Sequence, residues 1–406
     1  MLPQKKWNKE RLMLLLRLKK RLNPIQMNKT YKLFNKIKHY EWGSDKMLPD
    51  FLGIENDKNV PYAEMWMGTH PGGPSQIEIN GIISNLENIS GELPFLFKLL
   101  AAGKPLSIQA HPNKEQASAG FKRENDAGLS QTSPLRNYKD QNDKPEIICV
   151  LTEFTLMAGF RDTECILKNF EELINEAPVL KDIILPLLNH LKKGSLFDFF
   201  KMINNFSEIE KELFSAFFTD KKTEKPEGFI SNEQWQLIND FAVQYPKDTS
   251  ILAPLYLNLV KLQPGQAIFI PAGILHSYIK GFAIELMSNS DNVLRGGLTH
   301  KNADIKELIN ILHFVPFFPQ IITPCACADQ FSYHTMYNNF LLTSMNVKGG
   351  EKEFPEKGPA ICIVTEGEFK IDEEPYKKGD SFFIPQGTDK LLLKGDFSLF
   401  AASCGE

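Results

Sequence analysis

Nowhere in these 406 residues does an apolar run reach the roughly 18–20 residues that a membrane-crossing helix requires. Cysteine is equally sparse. Cys149, Cys165, Cys325, Cys327, Cys362 and Cys404 are the six, and no two stand at CxxC spacing. A disulfide-stapled secreted scaffold is therefore excluded, and a reducing, cytoplasmic home is the expectation. Cys325-Ala-Cys327 has the look of a metal or redox pair but lacks a third and fourth ligand nearby. Histidine is scarce too, with eight in the chain, so any cluster of them carries weight. A basic surface is also missing. The first thirty residues hold nine Lys or Arg against one Glu, but the remainder holds 37 basic against 49 acidic residues. An acidic body of this kind argues against nucleic acid as a partner and leaves room for an anionic small molecule in a locally basic pocket.

Residues 1–30 read as a basic extension: a transit peptide, a disordered tail, or sequence preceding a true start at Met27. The apolar run Leu12 to Leu16 is too short for a secretory signal. Beyond it, 42% apolar and 24% charged residues describe an average globular protein, and the length calls for two or three domains.

Residues 31–160 alternate short apolar runs with Gly, Pro and Asn turns, and Ile147 to Leu151 reads as a buried strand. Asn113-Lys-Glu-Gln116 carries the signature of a capped helix start. Between 161 and 250 the period changes. Leu167, Phe170, Leu173, Ile174, then Leu180, Ile183, Ile184, Leu187, Leu188 and Leu191 recur at three-to-four spacing, which predicts a helical insertion. The polar run around Lys221–Glu227 is an exposed connector. Strands resume over 251–320 and continue over 321–406.

These last two parts contain an internal repeat. Gly265 to His276 reads G-x5-P-x-G-x2-H, and Gly379 to Lys390 has the same spacing with Lys in place of His. The spacing resembles the second motif of cupins, small antiparallel jelly-roll barrels. The expected architecture is mainly β: two cupin-like barrels with an inserted α-helical subdomain. One barrel comprises 31–160 and 251–320 and holds the chemistry. The other, 321–406, lacks metal.

His276 would then face a barrel interior. Gln109 and His111, two apart on a strand, share one face. Glu146 heads a buried strand, where a carboxylate is costly unless it is paired or ligated; a solvent-facing strand entry is the alternative.

Together these fragments resemble type I mannose-6-phosphate isomerases. The segments that match are Tyr62-Ala-Glu-Met-Trp-Met-Gly-Thr-His-Pro71, Leu93-Pro-Phe-Leu-Phe-Lys98, Leu106-Ser-Ile-Gln-Ala-His-Pro112, Lys144-Pro-Glu146, Pro271-Ala-Gly-Ile-Leu-His-Ser-Tyr278 and Ser290-Asp-Asn-Val-Leu-Arg-Gly-Gly-Leu-Thr299. The resemblance implies one Zn2+ per chain on Gln109, His111, Glu146 and His276. It implies interconversion of mannose 6-phosphate and fructose 6-phosphate by ring opening and C1/C2 proton transfer through a cis-enediol. Arg295 matches the residue tied most firmly to activity. Lys144, Asp291 and Glu285 match residues proposed for proton transfer, and Trp42, Lys98, Ser107, Tyr278 and Lys301 match positions lining the substrate pocket. One departure stands out: Asp143 occupies a position where many relatives have His, which leaves the ring-opening role of that His open here. The expected partner is a hexose 6-phosphate, with no nucleic acid and no membrane, on a monomer or weak homo-oligomer. The alternatives are a non-catalytic sugar-phosphate-binding cupin and a different metal cupin such as an iron dioxygenase.

Overall fold

The computed structural model describes residues 29–220, 228, 230–325, 328–355, 358–388 and 390–405. The basic extension up to Asn28, the Met27 start, the Lys221–Glu227 connector, Cys327 and Asp389 of the second motif lie outside the described residues. No helix among those described is long and apolar enough to cross a membrane.

Two antiparallel β-assemblies dominate. In the first, neighbouring strands run Ile321–Ile322, Ala267–Ile270, Glu146–Val150, His276–Ser288, Phe95–Ala102, Glu64–Gly68 and Lys36–Lys38. In the second they run Tyr31–Lys32, Ser381–Ile384, Ala360–Ile371, Leu392–Cys404, Phe340–Glu353 and Gln330–Tyr333. Strand pairing thus departs from the expected domain bounds at both ends. Tyr31–Lys32 joins the C-terminal assembly, and Ile321–Ile322 joins the N-terminal one.

The strand His276–Ser288 holds the first assembly together. Its Gly281–Ser288 portion pairs with Phe95–Ala102, while its first residues pair with Ile108–Ala110 and Phe154–Phe160 in a second layer. The register shifts between Tyr278 and Lys280, and Gly281 follows with φ 136°. A bulge and a glycine let one strand turn the corner between two layers. A Cβ on Gly281 would sit 2.4 Å from the Phe154 ring, so the corner has no room for a side chain.

Alternation explains why these strands read as continuous apolar runs. Phe95, Phe97, Leu99, Ile147, Cys149, Phe282, Ile284 and Leu286 face outward and pack with Tyr333, Leu342, Ile361, Ile363, Phe383 and Ala402 of the C-terminal assembly. The intervening residues Leu100, Ile148, Val150 and Ala283 face the barrel interior with Phe154, Leu156 and Tyr278. Each large side chain buried in the shared core is worth roughly 1.5–3 kcal/mol.

The helical insertion is present as helices Thr163–Glu176, Lys181–Lys192, Leu196–Ile203, Glu208–Asp220 and Asn232–Gln244, and it extends past 250 to Ala253–Tyr256. Ser231 and Gln234 form a capping box, as do Asn113 and Gln116 at the helix Lys114–Asp126 expected from sequence. The insertion's core of Phe170, Leu173, Leu188, Phe199 and Tyr256 is continuous with Ile108, Ala110 and Leu294. It therefore braces the back of the second layer. The 251–320 stretch is not all strand: Ile305–Ile311 is a helix.

The repeat is visible in backbone angles. Gly265 and Gly379 have φ 85° and 90°, and Gly273 and Gly387 have φ 79° and 76°. The ends of the two motifs diverge. His276 is buried, whereas Lys390 is exposed and pairs with Glu353 at 3.2 Å, so it does not aim into a barrel mouth as the spacing suggested. A lysine with no buried partner keeps its ammonium in water.

Gly281→Ala should cost about 2–4 kcal/mol, through steric overlap as well as backbone strain. Gly265→Ala meets nothing within 4 Å and should cost only the left-handed strain, about 1–2 kcal/mol. Urea midpoints of the two variants against the parent chain check the difference.

Candidate metal centre and active site

The second layer places three polar side chains in a row across neighbouring strands. Gln109 is the register partner of His276 on one side and of Arg295 on the other. Directly opposed residues share a face, so the three point the same way. Ile108 and Ala110 point oppositely, into the helical core. Pro-x-Gly geometry delivers His276, because the Gly273 N–H donates to the His111 carbonyl at 2.9 Å and ties the motif turn to the strand end that carries the second histidine.

His111, Glu146 and His276 converge as a buried group whose ligand atoms all lie within 4.8 Å of one another. The Nε2 atoms of His111 and His276 each stand 3.3 Å from a different oxygen of Glu146. Each imidazole is oriented from behind: His111 Nδ1 lies 2.7 Å from the Asn292 carbonyl, and His276 Nδ1 lies 3.0 Å from the Ile274 carbonyl. A carbonyl accepts only, so the proton sits on Nδ1 and the Nε2 lone pair is free. Both Nε2 atoms are buried without a hydrogen-bond partner. Two orphaned lone pairs aimed at one carboxylate are the donor set a divalent ion with N and O preference takes.

Burial works against the charge on Glu146, but the Lys144 ammonium outweighs it and holds the carboxyl well below its usual range. Lys144 lies 3.0 Å from Glu146 Oε1. Burial pushes His111 down to about 4, helped by the Lys144 charge, so the ring stays neutral and ligand-competent near pH 7. The solvent-facing alternative for Glu146 is thereby excluded.

Around this centre the other expected residues are distributed unevenly. The Tyr278 hydroxyl reaches Glu146 Oε2 at 3.5 Å, and burial followed by the Glu146 charge keeps it protonated. Ser107 Oγ donates to Gln109 Oε1 at 3.4 Å. Arg295 is half-buried; desolvation lowers its pKa, and among the described residues no hydrogen bond or ion pair engages its guanidinium. Lys301 has its pKa lowered by burial and then by the nearby Arg295 charge, and its ammonium stands 5.8 Å from the Tyr40 ring centroid. Trp42 packs at the edge of the barrel's interior cluster.

Lys98 has a different environment from the one its matching position suggested. It is buried and paired with Glu285 at 2.9 Å and with Glu64 at 3.3 Å. Its ammonium is already matched by two carboxylates and has no unpaired charge for a phosphate. Desolvation pulls its pKa down, but the two carboxylates raise it on balance. Burial pushes Glu285 up despite Lys98. Asp143 is half-buried. Burial raises its pKa, and the Tyr337 hydroxyl donates to its Oδ1 at 3.3 Å. Asp291 lies half-exposed beside buried His70, 3.4 Å from its Nε2.

Sequence reasoning missed Glu64, Trp66, His70 and Asn292. Glu64 accepts from Trp66 Nε1 at 2.8 Å, and the Asn292 side chain binds the backbone of Lys139, Asp140 and Asn142. All lie inside matched segments, so the signal was present but its polar residues were not separated from its apolar ones.

Residues 30–163 match the family model for the catalytic domain of type I phosphomannose isomerase. Mannose-6-phosphate isomerase of Escherichia coli K12 is 33% identical over 387 residues, covering 90% of this chain and 97% of that one. That of Salmonella typhimurium is 35% identical over 376 residues, covering 87% and 94%. A zinc-bound crystal structure of mannose 6-phosphate isomerase superposes with TM-score 0.81 at 33% identity, covering 93% of this chain and 100% of that one.

In zinc-free protein His111 should make folding sensitive to acid. Its folded pKa lies below the ordinary 6.5, so the unfolded chain binds more protons and stability falls as pH drops from about 6.5 to about 4. The loss should approach 3 kcal/mol and be smaller in His111→Gln; urea titrations across that range measure it. Conserved order of motifs, a shared fold and a third of all positions identical over most of its length leave one assignment: the chain belongs to the type I mannose-6-phosphate isomerase family.

Proposed function

We propose that this protein interconverts mannose 6-phosphate and fructose 6-phosphate at a zinc ion held by His111, Glu146, His276 and Gln109. One observation carries the reading: two buried imidazole Nε2 atoms with no partner face a single buried carboxylate in a member of this family. Gln109, which shares their face, supplies a neutral oxygen as the fourth donor. A zinc ion there supplies a Lewis acid for the negative charge that develops on a sugar oxygen.

The surrounding side chains account for the rest of the chemistry. Arg295 is a half-buried cation beside Gln109 with nothing to neutralise it among the described residues. It meets the charge of the enediolate. Lys301, close enough to Arg295 to feel its charge, receives the phosphate, a role that doubly paired Lys98 is not free to fill. Lys144 and Asp291 carry the proton between C2 and C1. The His70 contact, and after it the charge of Lys144, keeps Asp291 ionised against burial. Glu285 is buried against Lys98, so it acts on the barrel wall rather than on the sugar. Tyr278 and Ser107 hold Glu146 and Gln109 in place, and Trp42 closes the pocket edge.

Turnover of mannose 6-phosphate by the purified chain should vanish on chelation and return with added zinc. His276→Ala should lose metal and activity together. Arg295→Ala should keep its zinc and lose about 10²–10³-fold in kcat. A folded, zinc-loaded sample that binds the sugar phosphate without turning it over would identify a binding protein instead.

A further inference from the structure

His70 is 3% exposed. It sits in the turn after the strand Glu64–Gly68, and its ring stands edge-on to Trp66 with centroids 4.8 Å apart. The Gly72 N–H donates to its Nδ1 at 3.0 Å. A backbone amide only donates, so Nδ1 must accept and the ring proton is left on Nε2. That nitrogen stands 3.4 Å from Asp291 Oδ1. Asp291 is fixed from the other side as well, because its own N–H donates to Asp140 Oδ2 at 2.8 Å. The next residue, Asn292, lends its carbonyl to the ligand His111. Asp291 therefore hangs between a buried histidine and the loop that orients the metal centre.

We propose that His70 is a positioning residue, which fixes the Asp291 carboxylate at the edge of the metal site by donating from Nε2. The proposal rests on the reading of Asp291 as a participant in proton transfer. A buried imidazole whose other nitrogen is locked by backbone has one donor to give and one orientation in which to give it. The Trp66 edge contact and the Gly72 turn supply that lock: a Cβ at residue 72 would approach the His70 ring to 3.1 Å. Trp66 is in turn held by Glu64. The Glu64, Trp66, His70 and Asp291 side chains thus form one supported series running from the barrel wall to the substrate loop.

Burial raises the Asp291 pKa, but the His70 contact, followed by the charges of Lys144 and Lys98, outweighs it, so the carboxyl titrates below its ordinary range. Lys38 and Tyr40 also feel its charge, and the Asp140 carboxylate sits against its backbone. Removing the Nε2 donor takes away a stabiliser of the carboxylate, so the acid limb of the kcat profile should move to higher pH.

The test uses the full zinc-loaded chain with His70→Phe, His70→Gln, Asp291→Asn and the His70→Phe/Asp291→Asn pair. Zinc content and melting temperature are read alongside kcat, KM and the pH profile. His70→Phe keeps an aromatic ring and should lose about 10-fold or more in kcat at unchanged zinc content, with its acid limb shifted upward. His70→Gln, which restores a donor, should recover most of that loss. In the Asp291→Asn background His70→Phe should cost less than about 2-fold. Equal losses in His70→Phe and His70→Gln with an unmoved acid limb, or full additivity in the double variant, would overturn the proposal. If His70→Phe does not fold, His70→Gln decides against it by showing wild-type fold with kcat as low as that of Asp291→Asn. Wild-type kcat in Asp291→Asn would instead remove the proton-transfer reading on which it rests.

Discussion

A carboxylate buried to 1% exposure governs the arrangement of this molecule. Leaving the Glu146 charge unpaired in a barrel interior would cost several kcal/mol, so everything near it is placed to meet that charge. The Lys144 ammonium meets one of its oxygens at 3.0 Å, and a zinc ion held together with the two imidazoles would complete the neutralisation. Its strand must run through the middle of the sheet to bury it, and its neighbours His276–Ser288 and Ala267–Ile270 must be in register to close over it. The cost of the site and the rigidity of the site have the same origin.

The long strand His276–Ser288 gives that demand a backbone form. Its first residue belongs to the convergent His/Glu/His group, its middle turns a corner at Gly281, and its end forms one wall of the core shared with the C-terminal assembly. Metal geometry and inter-barrel packing are thus carried by one continuous segment. The helical insertion supports the opposite layer, packing under Ile108, Ala110 and Leu294 and so beneath Gln109, His111 and Arg295.

Much of this was legible in the residues. The shift to three-to-four spacing after Leu167 marked the helices, because an amphipathic period needs no tertiary context to be recognised. The twice-used glycine and proline spacing marked two barrels, since positive φ is a local requirement. That His111, Glu146 and His276 belong together was implied by the family resemblance rather than by their spacing, and the structure brings the three into one group. The partners of those residues were not readable. That Lys98 is enclosed by Glu64 and Glu285 depends on which strands become neighbours, and no local pattern encodes a cross-strand register between residues nearly two hundred positions apart. The same holds for Lys390, whose motif position promised an interior and whose exposed side chain follows from its pairing with Glu353. His70 lay inside a matched segment, yet its tautomer is dictated by a turn amide that only coordinates reveal.

The pairing of Tyr31–Lys32 with Ser381–Ile384 has a consequence for how such a chain comes into being. A polypeptide emerges from its N-terminus, so the first described strand leaves the ribosome about 350 residues ahead of its partner. The outward face of the central sheet, with Phe97, Ile147 and Ile284, likewise waits for the C-terminal sheet that covers it. Until then a wide apolar surface stays open to water. The catalytic half of the chain thus has its outer face covered only when the final strands arrive.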